Sequence, residues 1–178
     1  VYLSGVKFGS FTLAKSAMLK TILDYQTNRN PLKGGGKVLI GEYNQTIDAK
    51  GRVNVPSKFR DDLGGSFVVS KGLDNCVCVY PKDEWERFKA ELDTVPASKR
   101  RMLSRFFFSG AEECDTDSQG RVLIPPKIRE YAGLNKEIVV VGMSDKVEIW
   151  DRNSWENYMD NPAFDAEEIA KAMEELGI

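Results

Sequence analysis

From residue 38 onward, hydrophobic positions fall alternately into short runs of strand character and stripes at helical spacing. Thr46-Ile47 and Val53-Asn54-Val55 are β-prone runs around the polar tetrad Asp48-Ala49-Lys50-Gly51. Asp at the first position and Gly at the fourth suit a type I turn whose glycine takes positive φ as a bulge, which predicts a β-hairpin. Pro56 then opens a short helix over Ser57 to Leu63, and Gly64 closes it. Phe67 to Val69 and Val77 to Tyr80 read as strands, and Trp85, Phe88 and Leu92 recur at helical spacing among charged residues.

The same order returns further along. Asp48 to Gly64 aligns with Asp117 to Gly133 at a constant offset of 69, with eight of 17 positions identical. Ordinary composition gives about one such identity by chance. At an offset of 70, Gly72 to Tyr80 matches Gly142 to Trp150, and Trp85 and Phe88 fall on Trp155 and Tyr158. The second copy therefore has its own hairpin, a helix bracketed by Pro125/Pro126 and Gly133, and strands over Ile138 to Val141 and Val147 to Trp150. Two amphipathic helices lie outside the repeat. Ser98 to Phe108 places Met102, Leu103, Phe106 and Phe107 opposite Lys99, Arg100, Arg101 and Arg105, and Asp165 to Leu176 carries Ile169, Met173 and Leu176 on one stripe. Both are candidates for packing the halves together or for subunit contact, with core packing the favoured role.

Residues 1-37 differ in character, with scattered apolar positions, the breaker run Asn28 to Pro31, and Gly34-Gly35-Gly36-Lys37. A weak helical pattern spans Leu13 to Tyr25. Lys15 and Lys20 interrupt any apolar stretch, so no secretory signal is read. The segment is expected to be unstructured and dispensable, with translation starting at Val38 from a GTG codon.

Charge follows the same division. Residues 1-37 hold six of the 25 Lys/Arg and one of the 27 Asp/Glu, leaving 19 basic and 26 acidic groups and a net charge of −7 to the rest. Such a body has no bulk attraction for polyanions, so any nucleic acid must meet a local basic patch. Apolar runs such as Ile138 to Val141 are far short of the roughly 20 residues of a membrane span. Three cysteines without framework spacing point to a reducing cytoplasm.

The 178 residues include no histidine, which removes imidazole-activated nucleophiles and the commonest general base. Gly34 to Lys37 lacks the spacing and the following Ser/Thr of a phosphate loop. Cys76 and Cys78 lie two apart on a predicted strand, and their repeat counterparts are Lys146 and Glu148. That predicts a solvated face opposite inward Val77, Val79, Val147 and Ile149. With Cys114 the remaining thiol, no structural metal site and no cofactor are expected. Glu84, Glu86 and Glu91 read as a solvated helix face and Glu112-Glu113 as a connection, so no carboxylate pair is placed for acid/base work and no enzyme is expected.

The two predicted turns carry more than turn geometry requires. Asp48/Gly51 and Asp117/Gly120 serve the backbone, but any β-former would continue the strand after the glycine, and both copies place an arginine there, Arg52 and Arg121. An ion pair to the aspartate would brace the hairpin. The same aspartate would orient a guanidinium for phosphate or guanine recognition. Both roles are compatible. Lys50, and Lys58/Arg60 with Lys127/Arg129 on the following helices, add positive charge near this edge.

These residues resemble the bacterial MraZ family. The likeness is carried by Gly41-Glu42-Tyr43, Thr46 to Arg52, Gly72 to Cys76, Arg105 to Ala111 and Gly120 to Pro125. It covers residues 38-178 and departs at the connection from Thr94 to Arg101, which is shorter than the family pattern. The resemblance implies an α+β, mainly β fold, a tandem duplicated AbrB/SpoVT-like swapped-hairpin barrel. The first repeat would span 42-84, connecting helices 85-110, the second repeat 111-154 and a C-terminal helical segment 155-178. Arg52 and Arg121 would lie side by side about a local pseudo-two-fold axis. The implied function is transcriptional regulation by a nucleoid-associated protein that binds short direct repeats in the promoter of the division and cell-wall gene cluster, its own gene included. The implied partners are double-stranded DNA and further copies of the chain in a closed, octamer-like ring, without a membrane. DNA contacts are expected from Arg52, Arg121, Lys50, Gln119, Lys58 and Lys127, with Asp48, Gly51, Asp117 and Gly120 shaping the turns. An antitoxin-like module is the alternative class, disfavoured by a C-terminal segment patterned as a helix.

Overall fold

The computed structural model describes residues 38–178. The Leu13 to Tyr25 pattern and the expectations for residues 1-37 lie outside the described residues. In chain order the elements are β1 (Leu39–Thr46), β2 (Arg52–Asn54), α1 (Ser57–Leu63), β3 (Ser66–Lys71), β4 (Val77–Pro81), α2 (Lys82–Thr94), α3 (Ala97–Phe108), β5 (Glu112–Asp115), β6 (Arg121–Leu123), α4 (Pro126–Tyr131), β7 (Glu137–Ser144), β8 (Val147–Asp151), α5 (Arg152–Met159), a 3₁₀ turn (Pro162–Phe164) and α6 (Ala166–Leu176). No described helix is long and apolar enough to cross a membrane.

Turn chemistry acts as expected in both copies. The Gly51 N–H donates to the Asp48 carbonyl at 2.8 Å, and Gly120 donates to Asp117 at the same distance, with φ of +83° and +73° at the two glycines. Beyond the turn, however, only the Ile47–Val53 bridge continues the first hairpin. β1 then leaves its own copy and pairs along its length with β7, from Leu39 opposite Ser144 to Thr46 opposite Glu137. Reciprocally, β5 of the second copy pairs with β3 of the first. The sheet order β1-β7-β8-β4-β3-β5 records this exchange, and β2 pairs with β6 in a separate ribbon. Equivalent positions meet at Val53 with Val122 and at Cys78 with Glu148, so one pseudo-two-fold axis passes through both pairs.

Two apolar layers hold the sheet. On one face, Val53 and Val122 of the ribbon, Phe59 and Leu63 of α1 and Ile128 of α4 pack onto Phe67, Val69, Val79, Ile138, Val140 and Ile149. Phe59 is fully buried and meets the Tyr43 ring edge-on at 5.2 Å. On the other face, Val68, Cys76, Cys78, Tyr80, Val139, Val141 and Trp150 are covered by aromatic and aliphatic side chains of α2, α3 and α5. The buried Ser70 hydroxyl ties α3 down by donating to the Phe107 carbonyl at 2.9 Å.

This second layer overturns one expectation. The face carrying Cys76 and Cys78 is not solvated, since the two are 1% and 3% exposed. Helices α2, α3 and α5 cover it, and unbroken runs such as Ile138 to Val141 are what strands buried on both faces require. Glu112-Glu113 is likewise not a mere connection. It forms β5, a sheet edge whose residues have little strand propensity and are held by pairing with β3.

Candidate nucleic-acid interface

Strand alternation decides which way the ribbon side chains face. Val53 and Val122, paired at its centre, point into the core and are 1% exposed. Their neighbours Arg52, Asn54, Arg121 and Leu123 must therefore share the outer face, where they are half-buried or exposed. A two-stranded antiparallel ribbon presenting such a face is narrow enough for a major groove.

Each arginine is held by its own turn. Asp48 Oδ1 accepts the N–H groups of Lys50 and Arg52 at 2.9 Å each, while Oδ2 accepts from Arg52 Nε at 2.7 Å and lies 2.6 Å from Nη2. The second copy repeats this pattern. Asp117 Oδ1 accepts the N–H groups of Gln119 and Arg121, and Oδ2 accepts from Arg121 Nε at 2.9 Å and Nη2 at 2.7 Å. The hydrogen bonds from each arginine's side chain and backbone N–H hold both carboxyls down, to about 2, against the opposing effect of burial. Both arginines remain 28% exposed at the side chain, so a fixed guanidinium still has an open edge. Arg52 Nη1 also lies 3.9 Å from Asp117 Oδ2, which brings the two arginines together about the axis.

A reciprocal link joins the copies here. Val55 N–H donates to the Gly120 carbonyl, and Ile124 N–H to the Gly51 carbonyl, both at 3.0 Å. Arg60 and Arg129, from α1 and α4, lie across the opposite copy's turn glycine. A Cβ at Gly120 would sit 2.2 Å from Arg60 Cζ, and one at Gly51 would sit 1.7 Å from Arg129 Nη1. Arg60 is itself fixed by donating to the Val55 carbonyl at 2.8 Å and to Asn54 Oδ1 at 2.9 Å. Sequence alone assigns these two arginines general positive charge and not a place among the site residues. The available signal is their identity in both copies, but their target, the other copy's turn, becomes visible only once the hairpins exchange.

The remaining expected residues are less tightly organised. Lys50 and Gln119 are exposed at equivalent turn positions, and Lys58 and Lys127 are exposed on the first turns of α1 and α4. No described hydrogen bond or ion pair draws these four side chains into the Asp–Arg arrangement.

Fold and edge together define a class, that of duplicated swapped-hairpin modules in which one chain supplies both halves of a six-stranded sheet and presents a paired-arginine ribbon. The family model described as "MraZ protein, putative antitoxin-like" matches residues 38–106 and again 107–176. The chain belongs to the MraZ family. Relatives named transcriptional regulator MraZ align over 143 residues, 79% of this chain. Those of Thermoanaerobacter sp. strain X514 and Alkaliphilus metalliredigens are 48% and 49% identical and are covered along their whole length. That of Lachnoclostridium phytofermentans is 51% identical and is covered over 99%.

Proposed function

We propose that this chain is a non-enzymatic, sequence-specific regulator of transcription that reads double-stranded DNA with the outer face of the β2/β6 ribbon. The observation carrying this reading is the pair of turn-anchored guanidiniums at an exposed ribbon on a body of net charge −7. A guanidinium gripped on one edge by a carboxylate is already oriented, so less side-chain freedom is lost when its other edge meets a guanine or a phosphate. Lys50, Gln119, Lys58 and Lys127 act at the periphery, the lysines through phosphates and Gln119 through a base or backbone edge.

The target is a set of short direct repeats in the promoter of a division and cell-wall gene cluster, the chain's own gene included. One ribbon covers one short site and binds it weakly. A closed, octamer-like ring of chains presents several ribbons in register with tandem sites, and the gain in effective concentration supplies the affinity. The protein works in the cytoplasm at the nucleoid. Nuclease footprinting of the full chain on DNA upstream of its gene tests this reading. Protection of regularly spaced short repeats supports it, and uniform weak protection across the fragment contradicts it. The antitoxin-like alternative predicts instead a stable complex with the product of a small neighbouring gene.

A further inference from the structure

Besides the ribbon, the pseudo-two-fold axis passes through Cys78 of β4 and Glu148 of β8, which are directly opposite each other. Opposite residues in an antiparallel pair send their side chains to the same face, and Cys76, two positions earlier, joins them. The two Sγ atoms and a carboxylate oxygen of Glu148 all lie within 4.8 Å of one another, the one group of three such ligands among the described residues to do so.

We propose that Cys76, Cys78 and Glu148 form a binding site for one zinc-class divalent ion per chain, clamping the two copies together across their axis. Two thiolates and one carboxylate are a fitting donor set for a borderline-soft divalent cation. Their combined charge of −3 around such an ion leaves −1, and Lys146, whose Nζ lies 3.8 Å from Glu148 Oε1, balances it. The second carboxylate oxygen already accepts from Trp150 Nε1 at 3.1 Å, the kind of outer hydrogen bond that orients a ligating carboxylate.

Space is also reserved for the sulfurs. Gly72, whose N–H donates to the Cys76 carbonyl at 2.8 Å, forms the floor of the cluster. A Cβ there would lie 2.3 Å from Cys76 Sγ and 2.9 Å from Cys78 Sγ, so any other residue would push the thiols out of place. Both cysteines are buried, and Glu148 is 14% exposed at its side chain, which removes competing water from most of the coordination sphere. On loading, each thiol gives its proton to solvent and binds as thiolate. The ion would then join β4 to β8, the central pairing between the two copies.

The test is titration of the full chain, stripped with chelator and kept reduced, with cobalt(II) as a spectroscopic substitute for zinc. The expected result is a thiolate-to-cobalt charge-transfer band that saturates at one equivalent per chain and is abolished by one equivalent of zinc(II). Cys76→Ser or Cys78→Ser should eliminate the band and Glu148→Gln should weaken binding at least tenfold, while Cys114→Ser leaves it unchanged. Circular dichroism verifies that each variant is folded. Absence of the band in the unsubstituted chain at tenfold excess cobalt overturns the proposal without reference to any variant. So does a band of equal strength in a folded Cys76→Ser/Cys78→Ser double variant.

Discussion

Gly120→Ala should destabilise the protein by about 2–4 kcal/mol through two separable effects. The first is backbone strain, since Gly120 sits at φ +73°, where a Cβ costs about 1–2 kcal/mol. The second comes from Arg60, whose Nε, Nη1 and Cζ would all lie within 2.5 Å of the new Cβ. Arg60 can withdraw only by giving up its hydrogen bonds to the Val55 carbonyl and Asn54 Oδ1. Charged hydrogen bonds contribute about 1.5–3 kcal/mol when shielded, and at this partly exposed position about 1–2 kcal/mol is the reasonable share. Gly133→Ala supplies the control, because Gly133 is also left-handed at φ +58° but a Cβ added there would meet nothing within 4 Å. It should cost only the backbone share.

Urea unfolding of Gly120→Ala, Arg60→Ala, the double variant and Gly133→Ala would separate the two effects, with stability read from midpoint shifts at constant slope. The double variant should be more stable than the sum of its single changes by about 1–2 kcal/mol, because Arg60→Ala already removes the overlap. Additive losses, or equal costs for Gly120→Ala and Gly133→Ala, would refute the claim that α1 of one copy locks the turn of the other.

Asp48 and Asp117 should titrate near pH 2 by carbon-detected NMR, well below an unfolded-chain aspartate near 3.8. Because the folded-state values are depressed, their contribution to stability is complete above about pH 4 and disappears as pH falls through 2; Asp48→Asn should abolish this dependence at the first turn. Phe59→Ala should cost about 3–5 kcal/mol by calorimetry or denaturant, since the ring is fully buried between Tyr43 and the sheet. Lys50→Ala should weaken binding to all DNA sequences alike and flatten the logarithmic salt dependence by about one unit if a single phosphate contact is lost.

Local chemistry makes much of this molecule legible. The Asp-to-Gly turns, the bracketing of α1 by Pro56 and Gly64, and the aromatic stripe of α2 all depend on residues within a few positions of one another, and all appear where the sequence places them. The exchange of β1 and β5 between copies depends on pairings almost a hundred residues apart in one case, so turn chemistry alone does not reveal it. The cysteine face reads wrongly from sequence because Lys146 and Glu148 look like markers of solvent. In the folded chain Glu148 lies opposite Cys78 across the axis, Lys146 pairs with Glu148, and helices α2, α3 and α5 cover that face. At the ribbon, Arg52 and Arg121 are evident because neither turn geometry nor strand propensity accounts for them. Arg60 and Arg129 are not, because the turns they cover belong to the other copy.

Whether the paired arginines read DNA or only brace their hairpins is decided by a band-shift titration of Arg52→Ala and Arg121→Ala on the chain's own upstream DNA, with size-exclusion chromatography on the same samples. Loss of one guanidinium contact to a base costs about 1–3 kcal/mol per site, and the loss recurs at every ribbon of a ring. Both variants should therefore keep the elution volume of the unsubstituted protein and lose specific binding. Normal binding, or binding lost only together with the assembly, would contradict DNA reading by these side chains, leaving the Asp–Arg pairs as structural braces and shifting attention to the basic side of α3 around Arg101 and Arg105.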